Sequence, residues 1–171
     1  AWFDTDLLLA NPNTTAETVT IRFLPPDGAP IEQELMLPAQ SRRTIRVDDI
    51  AGLESTTFST IVTSVNGAPM VVERTMRWNE TGYGGHTEKA VSSTAPVWYF
   101  AEGAQGFFST YFLLLNPHGT PTTASIEFLR EGTTAVTRTY TLAPFSRTTI
   151  DAPADSELVN QSFGAVVTLS Q

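Results

Sequence analysis

The side chains in this 171-residue sequence whose types and spacing could do chemistry are arginines, two histidines, and a scatter of acids and exposed aromatics. Glu73-Arg74 sits within the strand-like run 70–78, so alternation turns one of the two inward. An inward guanidinium can grip an acidic ligand through two nitrogens, or it can clamp carboxylates and carbonyls of the fold itself. The pairs Ser41-Arg42 and Ser146-Arg147 invite the second reading, and Arg42, Glu73, Arg74 and Arg147 are expected to be structural clamps. His86 and His118 lie in different loops, without the close spacing of a metal pair, and neither has a partner that would make it a general base. Gly82-Tyr-Gly-Gly-His86 lacks the strand-to-helix setting in which glycine loops cradle phosphate, and is expected to be a flexible connector. Asp4 and Asp6 with Asn11 and Asn13 offer oxygens of the kind that bind calcium, set against solvated acids at a strand entrance. No nucleophile, base and orienting group occur together, so no enzyme, catalytic residue, cofactor or metal is expected. Trp2, Tyr83, Trp98 and Tyr99 are the candidate ligand or interface residues, with core or interdomain packing as the alternative for Trp98. Asn13, Asn79 and Asn160 each begin an Asn-x-Ser/Thr acceptor pattern.

The elements that must position these residues are written twice. Phe3-Asp-Thr-Asp-Leu-Leu-Leu-Ala-Asn-Pro12 returns as Phe108-Ser-Thr-Tyr-Phe-Leu-Leu-Leu-Asn-Pro117, a shift of 105 (108 − 3, 116 − 11). The same shift places Ile21 and Phe23 on Ile126 and Phe128, and Leu37, Ser41, Arg42 and Ile45 on Leu142, Ser146, Arg147 and Ile150. Phe58, Val62 and Thr63 fall on Phe163, Val167 and Thr168. It also sets Asp4 and Asp6 opposite Ser109 and Tyr111, which a repeated calcium site would not allow. Residues 18–24, 31–37 and 43–47 alternate polar and apolar with the period of a half-buried strand. Pro25-Pro-Asp-Gly28 is a turn, 48–56 suits a loop or one helical turn, and Asn66-Gly67 signals a hairpin before 70–78. No window carries the i, i+3, i+4 pattern of a long helix.

Composition narrows the class. The net charge of −8 lacks the basic footprint of a nucleic-acid or anionic-membrane surface. No cysteine is present, which excludes disulfides and thiolate chemistry, and 26 threonines read as strand faces solvated by hydroxyls. Apolar runs fall far short of the ~20 residues of a membrane helix. No stretch reads as a signal peptide, so an exported chain of this sequence is expected to be a mature or excised piece.

The fold class expected is all-β, with tandem immunoglobulin-like antiparallel β-sandwiches at 1–96 and 97–171 and the polar, glycine-containing stretch 79–96 as the boundary. Phe23, Phe58 and Trp78 are the expected aromatic anchors of the first copy; Phe112, Phe128 and Phe163 are those of the second. A seven-strand sandwich would leave the first copy short of its first strand and the second short of its last. Either a longer array continues on both sides, or neighbouring chains donate the missing strand.

The runs Phe-x-Thr-x-Leu-Leu-Leu-Ala-Asn-Pro, Leu-Pro-Ala-x-Ser-Arg-x-Thr-Ile, Val-Val-Glu-Arg-x-Met-x-Trp and Trp-Tyr-x-Ala-Glu-Gly resemble an uncharacterised tandem module of about a hundred residues. Modules of that kind occur in large exported, often surface-anchored bacterial proteins. The resemblance implies an extracellular or cell-surface β module in series, with no assigned catalytic residues. The expected function is that of a structural spacer in a stalk or fibre, partnered by neighbouring repeats or identical subunits. The alternative is an adhesion module that binds carbohydrate or another surface protein.

Overall fold

A computed structural model of the chain describes residues 3–78, 84–106 and 108–170. Every strand pairing in it is antiparallel, and its helical content is limited to two 3-10 turns. The chain divides into two compact units, Ala1–Ser92 and Ser93–Gln171.

The first unit contains β1 (Asp4–Asn11), β2 (Glu17–Leu24), β3 (Ile31–Leu37), β4 (Ser41–Arg46), β5 (Ser59–Ser64), β6 (Val71–Trp78) and β7 (Gly84–Lys89). They form two sheets, ordered β4-β1-β6-β7 and β3-β2-β5. The second unit contains β8 (Val97–Ala104), β9 (Tyr111–Asn116), β10 (Thr122–Arg130), β11 (Val136–Leu142), β12 (Ser146–Asp151) and β13 (Ser162–Leu169), ordered β11-β10-β13-β8 and β12-β9. Under the 105-residue shift β1 to β4 become β9 to β12 and β5 becomes β13, so equivalent strands pair alike in both units.

Period-two alternation explains the layering. Leu7 and Leu9 point from β1 toward Val19, Ile21 and Phe23 of β2, and these five share one buried cluster with Leu37, Val47, Ile50 and Leu53. A single core is thus drawn from both sheets. In the second unit Phe112 of β9 meets Ile126 and Phe128 of β10 and Phe163 and Val167 of β13 in the same way. Edge-to-face contacts run from Phe100 to Phe112, Phe128 and Phe163 with centroids 5.4–5.8 Å apart, each worth about 1 kcal/mol beyond its area. The first unit keeps the last link, Phe23 to Phe58 at 5.7 Å. Of the expected anchors, Phe23, Phe112, Phe128 and Phe163 are buried, and Phe58 and Trp78 are half-buried.

Two expectations need correction. Asn66-Gly67 does form a turn, with Gly67 at φ 73° and its N–H donated to Ser64. It does not close a hairpin: β5 pairs with β2 and β6 with β1, so the turn carries the chain from one sheet to the other. A local signal specifies the bend and not the partner on its far side. The expected connector around Gly82 to His86 is in part a strand, β7, in register with β6 from Trp78↔Gly84 to Glu73↔Lys89. Glycine makes this pairing possible, since a Cβ at Gly84 would lie 2.4 Å from the Trp78 ring. The division between units falls after β7, at 92/93.

Phe128→Ala is expected to destabilise the second unit by roughly 3–5 kcal/mol, a large share of what a unit this small can hold. Hydrogen exchange should show β10 amides accelerated while β2 amides keep their protection.

Candidate functional site

The most elaborate polar structure in the chain is a corner that occurs once in each unit. Asn11 ends β1 with the same parity as Leu7 and Leu9, so its side chain points inward, and it is 1% exposed. Its amide nitrogen donates to the carbonyls of Thr15 at 2.9 Å, Leu37 at 3.2 Å and Pro38 at 3.0 Å. Its Oδ1 accepts from the backbone N–H of Asn13 at 3.0 Å and from the Asn13 amide at 2.8 Å. Asn116 repeats the pattern: it donates to Thr120 at 2.8 Å, Leu142 at 3.3 Å and Ala143 at 3.1 Å, and accepts from His118 N–H at 3.0 Å.

Around each asparagine the remaining bonds are duplicated too. The Ser41 and Ser146 hydroxyls donate to Pro38 and Ala143, three residues back. Gln40 and Phe145 both take a left-handed conformation, φ 48° and 47°, and donate their N–H groups to Asn13 and His118. Non-glycine residues adopt that conformation at a cost of about 1–2 kcal/mol, which the surrounding hydrogen bonds must offset.

A second buried polar group sits one loop further on. Glu17 opens β2 with the parity of Val19 and Ile21 and is 3% exposed. Its carboxylate accepts from the Ser64 hydroxyl, the Asn66 backbone N–H at 3.0 Å and the Asn66 amide at 3.3 Å, which ties β2 to the turn after β5. The Ser64 hydroxyl, then the Asn66 N–H, hold this carboxyl below the usual glutamate range against the opposing effect of burial. Its counterpart is Thr122, also buried, whose hydroxyl bonds Ser170 at 3.0 Å. In the second unit Arg138 bridges Asp155, at 2.7 Å, and Glu157, and Arg130 donates to the carbonyls of Thr134 and Glu157. Burial raises the Asp155 carboxyl, but the Arg138 guanidinium and the Glu157 N–H together leave it lowered.

The residues singled out from sequence are spread across these elements. Arg42 is exposed on β4, opposite Ala10. Arg74 lies on the core-facing side of β6 opposite Leu7 and pairs with Glu88 of β7 at 3.1 Å. Glu73 stands between Leu8 and Lys89, and half-buried Arg147 stands opposite Leu115. Asp6 is taken by Arg77 at 2.8 Å, and Asp4 lies 4.0 Å from Arg46. His86, on β7, has Nε2 3.7 Å from Glu88, while His118 is in the corner of the other unit. Among the described residues no three of His, Cys, Asp and Glu converge as a metal site would require. Trp98 packs on the core of the second unit and donates to the Ala95 carbonyl at 3.0 Å, whereas Tyr99 beside it is 77% exposed. Trp2 and Tyr83 lie outside the described residues. A shallow depression of about 260 Å³ lies by the β8–β13 bulge, between Glu102, Leu129 and Gly164.

Two strand edges complete the site. Among the described residues β5 pairs with β2 alone, although its counterpart β13 lies between β10 and β8. Likewise β9 pairs with β12 alone, although its counterpart β1 lies between β4 and β6.

No family model, curated protein or solved structure matches the chain.

Two outcomes are expected from the corner and its neighbour. Asn11→Ala and Asn116→Ala each orphan interior carbonyls and should cost about 2–3 kcal/mol in chemical denaturation. Because the folded-state Glu17 carboxyl is lowered, its contribution is complete above the unfolded-state value near 4.5 and is lost as pH falls through the folded value. The melting temperature should therefore drop on acidification below about pH 4.5, and Glu17→Gln should flatten that part of the profile.

Proposed function

We propose that the chain is a non-enzymatic structural module of an extracellular bacterial stalk, fibre or surface protein, built from immunoglobulin-like β-sandwiches in series. The observation that carries this reading is the recurrence of a five-strand frame. The pairings of β1 to β5, their inward-facing core positions and the asparagine corner recur in β9 to β13 under one sequence shift. Selection for a binding pocket would preserve one set of side chains, whereas selection for a spacer preserves the frame. Antiparallel ladders tied at their crossings hold distance, and threonine-rich outer faces keep a long array soluble. The bacterial surface location rests on the sequence motifs and their resemblance to modules of exported proteins. Partners on this reading are neighbouring repeats or identical subunits.

A second reading is favoured by one residue. Tyr99 presents an aromatic face on β8 of the kind on which sugar rings or a protein partner would stack, which would make the module an adhesin.

A glycan array probed with the chain and with Tyr99→Ala separates the two. The spacer reading expects silence from both proteins; retention that Tyr99→Ala abolishes would replace it with the adhesin. Under the spacer reading, pulling the chain from its ends should give two unfolding steps, each releasing on the order of 25 nm of contour.

A further inference from the structure

We propose that the edge of β5 left open among the described residues is the acceptor for an extended strand of the Val-Trp-Tyr-Phe-Ala-Glu-Gly type, donated by another copy of the repeat. The inference rests on reading the units as repeats and goes beyond it by naming the edge, the segment and the register. The second unit supplies the template. There β8 pairs with β13 as Thr168↔Val97, Val167↔Trp98, Val166↔Tyr99 and Ala165↔Phe100, then, past a bulge, Phe163↔Gly103 and Ser162↔Ala104. Subtracting 105 sets the donor valine against Thr63, its tryptophan against Val62, its tyrosine against Ile61, its phenylalanine against Thr60 and its glycine against Phe58.

Burial supports this register independently. Phe163, Ala165 and Val167 are 4%, 2% and 0% exposed beneath β8, while Phe58, Thr60 and Val62, which face the core from the same places, are only half-buried. The core of the first unit is thus less covered than that of the second along the strand where the second unit has β8. An open ladder edge over a half-covered apolar row is a surface that natural β proteins cover by strand addition.

The donor's chemistry is constrained at two points. Gly103 leaves room for the Phe163 ring, since a Cβ there would approach it to 2.4 Å. A donor needs glycine at that place because Phe58 is the matching aromatic. Trp98 supplies the large apolar surface and satisfies its N–H on the Ala95 carbonyl, so a donor should carry both. One of the differences between the two strands bears on the donor's approach: Gly164 lies at the bulge, where a Cβ would meet the Phe100 carbonyl at 3.2 Å, and Ser59 occupies that place on β5. The acceptor edge therefore has to give by a few tenths of an ångström there.

The test uses the whole 171-residue chain and a synthetic peptide of residues 94–105. Saturable binding is expected by calorimetry, with new hydrogen-exchange protection confined to β5 amides. Replacing the peptide's Gly103 by Val or its Trp98 by Ala should weaken binding at least about tenfold, some 1.4 kcal/mol. Ser59→Gly in the protein should strengthen it. No saturable binding, equal binding by the glycine-to-valine peptide, or protection arising at β9 or β13 would overturn the proposal. Failure here leaves the spacer reading intact, and a glycan hit abolished by Tyr99→Ala would sink the spacer reading while leaving a β5 peptide complex standing.

Discussion

A chain that crosses between two packed sheets must leave some backbone carbonyls where neither ladder can reach them, and everything else in these units depends on how those carbonyls are satisfied. In the first unit the chain crosses from β1 to β2 and again from β3 to β4, and one asparagine amide serves both crossings. Asn11 holds the Thr15 carbonyl on one passage and those of Leu37 and Pro38 on the other. A side chain with two donors and an acceptor, short enough to stay in the corner, meets these demands together. The alternative is an unpaired carbonyl in the interior, which costs more than an ordinary hydrogen bond contributes. Asn116 makes the same contacts in the other unit, which is why the corner and the core are repeated as one piece.

Once the crossings are held, hydrophobic burial sets the rest. Alternation sends Leu7 and Leu9 to meet Val19, Ile21 and Phe23, and a slip of one residue would turn all five to solvent. The aromatic relay from Phe100 to Phe163 does the same in the second unit and links β8, β9, β10 and β13 across both sheets. Ionic contacts are secondary, since most are exposed. Arg138 is the instructive one because it ties down the loop after β12 through two acids at once.

The two units are unlike at their edges. The first has β6 beside β1 and β7 beyond it, and the second has β8 beside β13. Each therefore displays a pairing that the other lacks, and the exposure of equivalent residues follows that difference. The contrast between Val167 and Val62 arises from which strand lies alongside, since the side chain is the same.

The sequence by itself determined most of the strands, the inward rows and the repeated residue pattern, because period-two alternation and a constant shift are local properties of residue order. It also contained the corner: Asn11 follows Leu7 and Leu9, and Glu17 precedes Val19 and Ile21, at spacings that assign both polar groups to the interior. That signal is legible only if parity is followed through a polar residue; by chemical type alone Asn11 reads as an oxygen ligand. Only the tertiary structure decided that Asn66-Gly67 leads into the opposite sheet, that a glycine-rich stretch pairs as β7 under Trp78, and that Arg74 meets Glu88. Those outcomes depend on which strands lie side by side, and pairing between distant segments is settled by the shared burial of both sheets, which residue order along any one segment does not encode.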